Sequence, residues 1–517
     1  MTAGRSLPDC GQGCALISRC RSRIGCVSYV SGCDTMKRHL LSPGRRLQKR
    51  PANDGRMRSL IRMSISSCLL FMLTSSSFAE GIEFPLRTAQ GRHYLEDSQG
   101  RPFLISGDSA WSLIADLSLN DAEFYLDTRK RQGFNTVLAS LIEHRFAHNA
   151  PANFYGEAPF LGPAFEVPNE AYFRRAEMVI QAAADRNLLV LLCPAYLGAG
   201  GGPDGWYLEM VAAGPEKLKA YGRYIARRLA KFSNIVWVQG GDYDPADKAL
   251  VTAIAEGITD VAPDALQTIH ANRDTVSSVY WQGADWLDID TVYTYDDVAE
   301  AVSARHRSGP RRPFFFMEGK YEGEHGVDER EVRLIAYSAL LSGAGGQMFG
   351  NNPVWHFSGP GLYGSSETWQ QAISSRGAES LKHLNTFFGG LEWWKLTPDQ
   401  GSLLKGAEGM GHRKISAARS VDGSFAVIYV SDATRLTIDL GSLARGDKLL
   451  RWYDPSSGVF IEGNERLGAD GVKEIAVPGA SNDSGFHDWV AVLSHDDEDV
   501  ARPAQHLMQT PPKSLAD

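Results

Sequence analysis

Two acidic residues in this chain stand in the same local setting. Asp242 follows Asn234-Ile235-Val236-Trp237-Val238-Gln239-Gly240-Gly241, an almost wholly apolar run ending in two glycines. Glu318 follows Pro313-Phe314-Phe315-Phe316-Met317 directly. A short apolar run bounded by turn residues reads as a strand buried on both faces, as in a parallel sheet. The glycine pair lets the backbone bend where the strand leaves the sheet. A carboxylate at that point reaches the open end of a barrel or sheet, where α/β enzymes keep their chemistry. Two such carboxylates facing each other can divide the cleavage of an acetal: one moves a proton and the other attacks. They are the minimum equipment for hydrolysing a glycosidic bond. The competing reading is that an acid merely caps the next helix. Asp242 precedes Pro245-Ala246-Asp247, so capping competes there. Glu318 sits against four apolar residues, where an unpartnered charge is costly.

Further polar and aromatic residues follow the other apolar runs. Asp108 and Trp111 follow the first, Glu143, His144 and Arg145 the second, and Tyr196 the third. His270 and Asn272 follow the fifth, Tyr293 and Tyr295 the sixth, and Asn351, Asn352, Trp355 and His356 the eighth. A polyhydroxylated ligand needs this mixture, with hydrogen-bonding groups for its hydroxyls and aromatic faces for its C–H surfaces. Asp108, Trp111, Glu143, His144, Arg145, Tyr196, His270, Tyr295, Asn351 and Trp355 are therefore expected to bind substrate. Tyr295 is expected to hydrogen-bond Glu318, and Arg145 to pair with a neighbouring acid. Glu322 and Glu324 read as solvated or substrate-contacting. Neither HxH nor HExxH spacing joins the histidines, so no metal is expected. No strand-proximal GxGxxG or Walker pattern calls for a cofactor, and Gly198-Ala199-Gly200-Gly201-Gly202-Pro203 reads as an active-site loop.

The elements that must position these groups alternate. Strands are expected at residues 103–107, 136–141, 188–194, 235–239, 267–270, 289–295, 314–317 and 346–349. Helical spacing of apolar residues marks 119–132, 170–186, 215–231, 245–261, 329–341 and 369–387, whereas 272–286 read as loop. Asn120-Asp121 and Asp328 stand where helix caps belong. Eight such repeats predict a (β/α)8 TIM barrel, with a doubly wound sheet as the alternative. Asp242 then ends the fourth strand and Glu318 the seventh, on opposite sides of the barrel. Beyond Leu396-Thr397-Pro398 short strands separated by turns predict a small all-β sandwich. The expected division is a leader over 1–79, a catalytic barrel over 80–396, a β domain over 397–497 and a disordered tail over 498–517.

Residues 57–79 combine Arg58 and Arg62, a short apolar segment from Cys68 to Leu73, and Ser77-Phe78-Ala79. That order is a secretory signal peptide, too short in its apolar part to stay in a bilayer. The mature protein is thus expected in the periplasm or outside the cell, with no membrane span. Residues 1–79 carry 13 basic and 3 acidic residues of the chain's 53 and 61. Removing them leaves 40 basic against 58 acidic, a net charge near −18 that excludes a basic nucleic-acid footprint. Six of the 7 cysteines leave with that segment. Cys193, within an apolar run, reads as a small core residue and not as a nucleophile.

Gly107-Asp108-Ser109-Ala110-Trp111, Gly133-Phe134-Asn135-Thr136-Val137, Trp237 to Gly240-Gly241-Asp242 and Phe316-Met317-Glu318 together resemble the apiosidase-like glycoside hydrolase family. Arg451-Trp452-Tyr453-Asp454-Pro455-Ser456-Ser457-Gly458 and Asp488-Trp489-Val490-Ala491-Val492-Leu493 resemble the collagen-binding-type β domain that accompanies it. The resemblance implies a retaining (β/α)8 glycosidase with Asp242 as acid/base and Glu318 as nucleophile. It implies an oligo- or polysaccharide substrate, with apiose-bearing pectin the leading class. This chain departs from the wider clan, which more often has Asn-Glu where Gly241-Asp242 stand. The alternative is a catalytically silent barrel that binds carbohydrate.

Overall fold

The computed structural model describes residues 81–406 and 415–495; the expected leader and tail lie outside the described residues. Three short antiparallel strands, Arg87–Thr88, Leu95–Glu96 and Pro102–Phe103, precede the main fold. Their turn is held by Asp97, whose carboxylate accepts the backbone N–H of Gln99 and of Arg101, each at 2.9 Å.

Eight parallel strands follow: β1 (Ile105–Ser109), β2 (Thr136–Ser140), β3 (Leu189–Cys193), β4 (Ile235–Gly240), β5 (Gln267–His270), β6 (Asp290–Tyr293), β7 (Phe314–Glu318) and β8 (Gly346–Phe349). They are hydrogen-bonded in the order β5-β4-β3-β2-β1-β8-β7-β6. A parallel bridge from Thr268 to Ile289 links β5 to β6. The hydroxyls of Thr268 and Thr291 reinforce that seam, donating to the carbonyls of Ile289 and Ile269, both at 2.7 Å. The ring is thus a nearly closed TIM barrel. Inward residues such as Leu138, Leu191, Val236, Val238 and Met317 fill its centre. Residues of the other phase, such as Val137, Val190 and Trp237, pack under the helices.

The main helices are α1 (Leu119–Arg131), α2 (Glu170–Asp185), α3 (Tyr207–Leu229), α4 (Ala249–Thr259), a single turn α5 (Ser277–Tyr280), α6 (Val298–Ser308), α7 (Glu329–Leu341) and α8 (Arg376–Gly389), with further single turns at Leu113–Asp116 and Trp369–Ala372. Local chemistry sets their starts. Ser118, not Asn120 or Asp121, caps α1 by accepting the Asp121 N–H, while Asp328 caps α7 as expected. α3 breaks at Gly214, which takes φ 76° ahead of Pro215. The single helix expected over 369–387 is divided, because Ser375 turns its hydroxyl to cap α8.

The first strand lies two residues later than expected. Pro102–Phe103 pairs backward with Leu95–Glu96, so the chain enters the barrel only after Leu104. Strand β1 consequently runs through Asp108 and Ser109.

The C-terminal region is antiparallel. Strands β9 (Leu396–Pro398), β10 (Ile415–Ser420), β11 (Phe425–Val430), β13 (Lys448–Asp454), β14 (Val459–Phe460), β15 (Glu465–Leu467) and β17 (Trp489–Ser494) form one sheet; β12 (Arg435–Asp439) and β16 (Val472–Ala476) form a second. Every residue of β11 is buried, because the large sheet is covered on both sides. Ala426, Ile428 and Val430 face Leu436, Ile438 and Ile475 of the small sheet. Phe425, Val427 and Tyr429 instead share a core with Tyr337 on α7 and with Leu381, Leu384 and Phe387 on α8. Tyr337 and Tyr429 stack across that junction, centroids 4.8 Å apart. A fully buried pair lies beside them: Arg333 of α7 grips both oxygens of Asp488, at 2.6 and 2.8 Å.

Candidate active site

The acid on β4 is placed by unusual backbone. Gly240, Gly241 and Asp242 take φ of 87°, 129° and 49° in succession. Only glycine enters that region freely, so the two glycines carry the chain out of the sheet and Asp242 absorbs the remaining bend. Space enforces the same choice. A Cβ on Gly241 would lie 2.2 Å from Cδ2 of Tyr196, and one on Gly240 would lie 2.5 Å from the carbonyl oxygen of His270. The ring of Tyr196 therefore fills the volume that a side chain at 241 would need. Its hydroxyl donates to Asp242 Oδ2 at 2.7 Å. The filled volume and the positive φ leave no room for a larger residue at 241.

The acid on β7 is placed by an irregularity in strand pairing. Phe316 aligns with Val292, but Glu318 aligns with Tyr293, so the register slips by one residue at Met317. Glu318 is buried and receives two hydrogen bonds. His270 Nε2 lies 2.9 Å from its Oε2, and the Tyr321 hydroxyl donates to the same oxygen at 3.2 Å. Trp111 Nε1 in turn donates to the Tyr321 oxygen at 3.0 Å.

His270 is fully buried between the two acids. Its Nδ1 lies 3.4 Å from the Asp242 nitrogen and 3.9 Å from Asp242 Oδ1. One ligating atom each of Asp242, His270 and Glu318 fall within 4.8 Å of one another. These three residue types can bind a cation, but the imidazole turns opposite nitrogens to the two acids. A shared ion needs one lone pair aimed at a point that both carboxylates also reach. The arrangement fits a hydrogen-bonded relay. Burial, with the charge of Asp242 adding to it, lifts the Glu318 carboxyl above its usual range, and His270 and Tyr321 oppose that lift. Burial lowers the pKa of His270, but its bond to Glu318 and the two negative charges outweigh that and leave it raised.

These groups open into a cavity of about 330 Å³ at the C-terminal ends of the strands, the size of a small ligand cleft. Trp111, Tyr196, Asp242, Tyr295, Glu318 and Trp355 line it. So do Tyr293, Asn272, the loop residues Ala199 and Gly200, and Glu143. Glu143, however, spends its oxygens internally. One accepts the backbone N–H of His144, Arg145 and Phe146, and the other accepts the Ser112 hydroxyl.

Several expected substrate contacts lie elsewhere. Asp108 belongs to β1 in the phase that faces the helices; it is fully buried against Arg129 (2.7 Å) and the Tyr125 hydroxyl, and does not reach the cavity. His144 sets its ring edge-on to Trp206 and its Nε2 3.2 Å from Glu209. Arg145 pairs with Asp204 at the surface. Asn351 donates to Glu322 at 3.0 Å. His270 holds the two acids and does not line the cavity. Tyr295 lines the wall between Tyr293 and Arg273, and the hydrogen bond expected of it to Glu318 comes from Tyr321 instead.

Other cavity residues, among them Tyr321, three positions after Glu318, and Arg273 after β5, went unassigned in the sequence. Glu324, read there as solvated or substrate-contacting, follows Glu318 by six positions on the same loop as Tyr321 and also lines the cavity. Glu324 is 6% exposed, and its Oε1 accepts the N–H of Trp355 at 3.0 Å. Burial, with the charge of Glu318 adding and the Trp355 bond opposing, pushes its carboxyl up to about 7. The only earlier signal was its place on the strand-seven loop.

Eight parallel strands with an acid pair converging at their C-terminal ends define a TIM-barrel glycoside hydrolase. The comparisons sharpen that class. The family described as "Apiosidase-like, catalytic domain" matches residues 89–395, and the chain belongs to it. The family described as "Putative collagen-binding domain of a collagenase" matches residues 397–494. Among solved structures, one described as a glycoside hydrolase superposes with a TM-score of 0.69 at 23% identity, covering 80% of this chain and 97% of that one. A glycoside hydrolase family 5 protein from Bacteroides vulgatus gives 0.70 at 22% identity, covering 81% and 95%. At such identities the likeness is one of fold. No curated protein sequence matches significantly.

Proposed function

We propose that the protein is an exported, retaining glycoside hydrolase that removes sugars from plant cell-wall polysaccharide side chains, with apiose-bearing pectin as the leading substrate class. The observation that carries the retaining reading is the closeness of the acid pair, with an oxygen of Asp242 within 4.8 Å of an oxygen of Glu318. Retaining enzymes hold their carboxyl groups about 5–5.5 Å apart, and inverting ones leave about 6.5–9.5 Å for a water. In the first step Glu318 attacks the anomeric carbon. The bond to the leaving oxygen breaks, and that oxygen takes the proton of Asp242. In the second step Asp242 removes a proton from water. The resulting hydroxide attacks the same carbon and releases Glu318 with the original anomeric configuration. Trp111 and Trp355 offer aromatic faces to the sugar.

The family supports the substrate class. Export rests on the signal-peptide pattern of residues 57–79. Among the described residues no helix is long and apolar enough to cross a membrane. A panel of pectic oligosaccharides tests the reading. Asp242→Asn and Glu318→Gln should each abolish sugar release while the fold stays intact, and NMR of the first-formed product should show the starting anomer. Near-wild-type rates in both variants, or an inverted first product, overturn it.

A further inference from the structure

The loop after β7 carries two acids, Glu322 and Glu324, with opposite assignments. Glu322 is an anchor. Its carboxylate accepts the backbone N–H of Gly377 at 2.8 Å, the Asn351 amide at 3.0 Å and the Ser375 hydroxyl at 2.5 Å. The loop is closed on itself by Glu324 N–H to Tyr321 O at 3.1 Å, Val327 N–H to Glu324 O at 2.9 Å and Gly323 N–H to Val327 O at 3.2 Å. Gly323, His325 and Gly326 take positive φ to achieve this turn. The turn faces Glu324 the other way, into the cavity. There the indole of Trp355 fixes one of its oxygens, and the other makes no hydrogen bond to the described residues. That second oxygen opens to the cavity, beside an aromatic wall and next to Glu318, where a ligand hydroxyl can reach it.

We propose that Glu324 is a substrate-binding carboxyl whose second oxygen holds a hydroxyl of an uncharged sugar, and that it excludes a sugar acid from that seat. The proposal rests on Asp242 and Glu318 marking the reactive end of the cavity. Asp242, Glu318 and Glu324 make three carboxyls on one small cavity wall. A uronate carboxylate placed among them meets like charge. The cation on the wall, Arg273, is engaged elsewhere, with its guanidinium 4.9 Å from the centroid of Tyr295 and 3.6 Å from Asp274. With its carboxyl pushed up to about 7, Glu324 carries the excluding charge above that pH and loses it below.

The test is direct binding, which needs no turnover. Wild type, Glu324→Gln, Glu324→Ala and Glu318→Gln are titrated above neutral pH with D-apiose, D-xylose, D-galactose, L-rhamnose and D-galacturonate. Binding is followed by tryptophan fluorescence and saturation-transfer NMR. At least one neutral sugar should bind wild type, and galacturonate should bind about tenfold more weakly or worse. Glu324→Ala should weaken the neutral sugar about tenfold, the loss of one hydrogen bond to a charged or polar partner, and Glu324→Gln should retain most of it. Both variants should narrow the preference over galacturonate. A merely structural Glu324 would change melting temperature and leave that preference alone. Unchanged neutral-sugar binding in Glu324→Ala, tighter galacturonate binding by wild type, or no binding of any neutral sugar overturns the proposal. Full turnover by Glu318→Gln would instead overturn the catalytic assignment and leave these binding results standing.

Discussion

His270 offers the sharpest test of how the acid pair is tuned. Burial and Asp242 raise the pKa of Glu318, and the imidazole 2.9 Å away works in the opposite direction. Replacing His270 by alanine therefore raises it further. A hydrogen bond to a charged group is worth about 1.5–3 kcal/mol. At about 1.36 kcal/mol per pKa unit, its loss moves Glu318 upward by roughly one to two units. A nucleophile must be ionised, so activity is present above that pKa and falls as pH drops through it. The acid limb of kcat/KM against pH should move to higher pH by that amount in His270→Ala. At a fixed pH below both values the rate should fall about ten- to a hundredfold. His270→Gln, which can still donate to Glu318 but carries no charge, should recover part of the shift. Circular dichroism and melting curves establish that each variant is folded. An acid limb at the same pH in all three proteins would refute the reasoning.

Asp108→Asn should leave KM for the substrate unchanged, because Asp108 faces Arg129 and not the cavity. It should lower stability by about 3–5 kcal/mol in urea unfolding, since a buried guanidinium loses its partner charge. Arg333→Ala breaks the buried pair with Asp488 and should cost a similar amount. Because one core joins α7 and α8 to the β sheet, calorimetry of wild type should show a single transition. Two well-separated transitions would contradict a shared core.

Much of the barrel could be read from the chain because its strands are buried on both faces. Runs such as Leu189–Cys193 and Phe314–Glu318 have few other uses in a soluble protein, and their order located Asp242 and Glu318. What escaped was direction. Asp108 and Trp111 follow the same run, yet only Trp111 turns to the cavity. The later start of β1, which follows the pairing of Pro102–Phe103 upstream, puts Asp108 inside the strand, in the phase turned to the helices, instead of beyond its end. The link from Tyr321 to Glu318 was missed for a related reason. It needs the fold of the β7 loop, which depends on Glu322 reaching Gly377, 55 residues later. Tertiary contacts of that range leave no local pattern. The two-faced burial of Phe425–Val430 was likewise invisible as a cause, because nothing in the β domain alone says that a barrel helix covers one side.

The filling of position 241 by the ring of Tyr196 has a consequence for how this enzyme can change. Positions 196 and 241 compete for one volume across neighbouring strands, so their replacements are epistatic. Restoring asparagine at 241 alone inserts a Cβ 2.2 Å from a tyrosine carbon and leaves the sugar-facing side of strand four overfilled. Shrinking Tyr196 alone opens a hole and strips Asp242 of its phenol donor. The double exchange, a small residue at 196 with a side chain at 241, removes the clash with the ring and still leaves the new side chain at φ 129°, which only glycine enters freely. A route from this site to an Asn-Glu site therefore crosses two impaired single mutants, and Gly241 and Tyr196 should be inherited together.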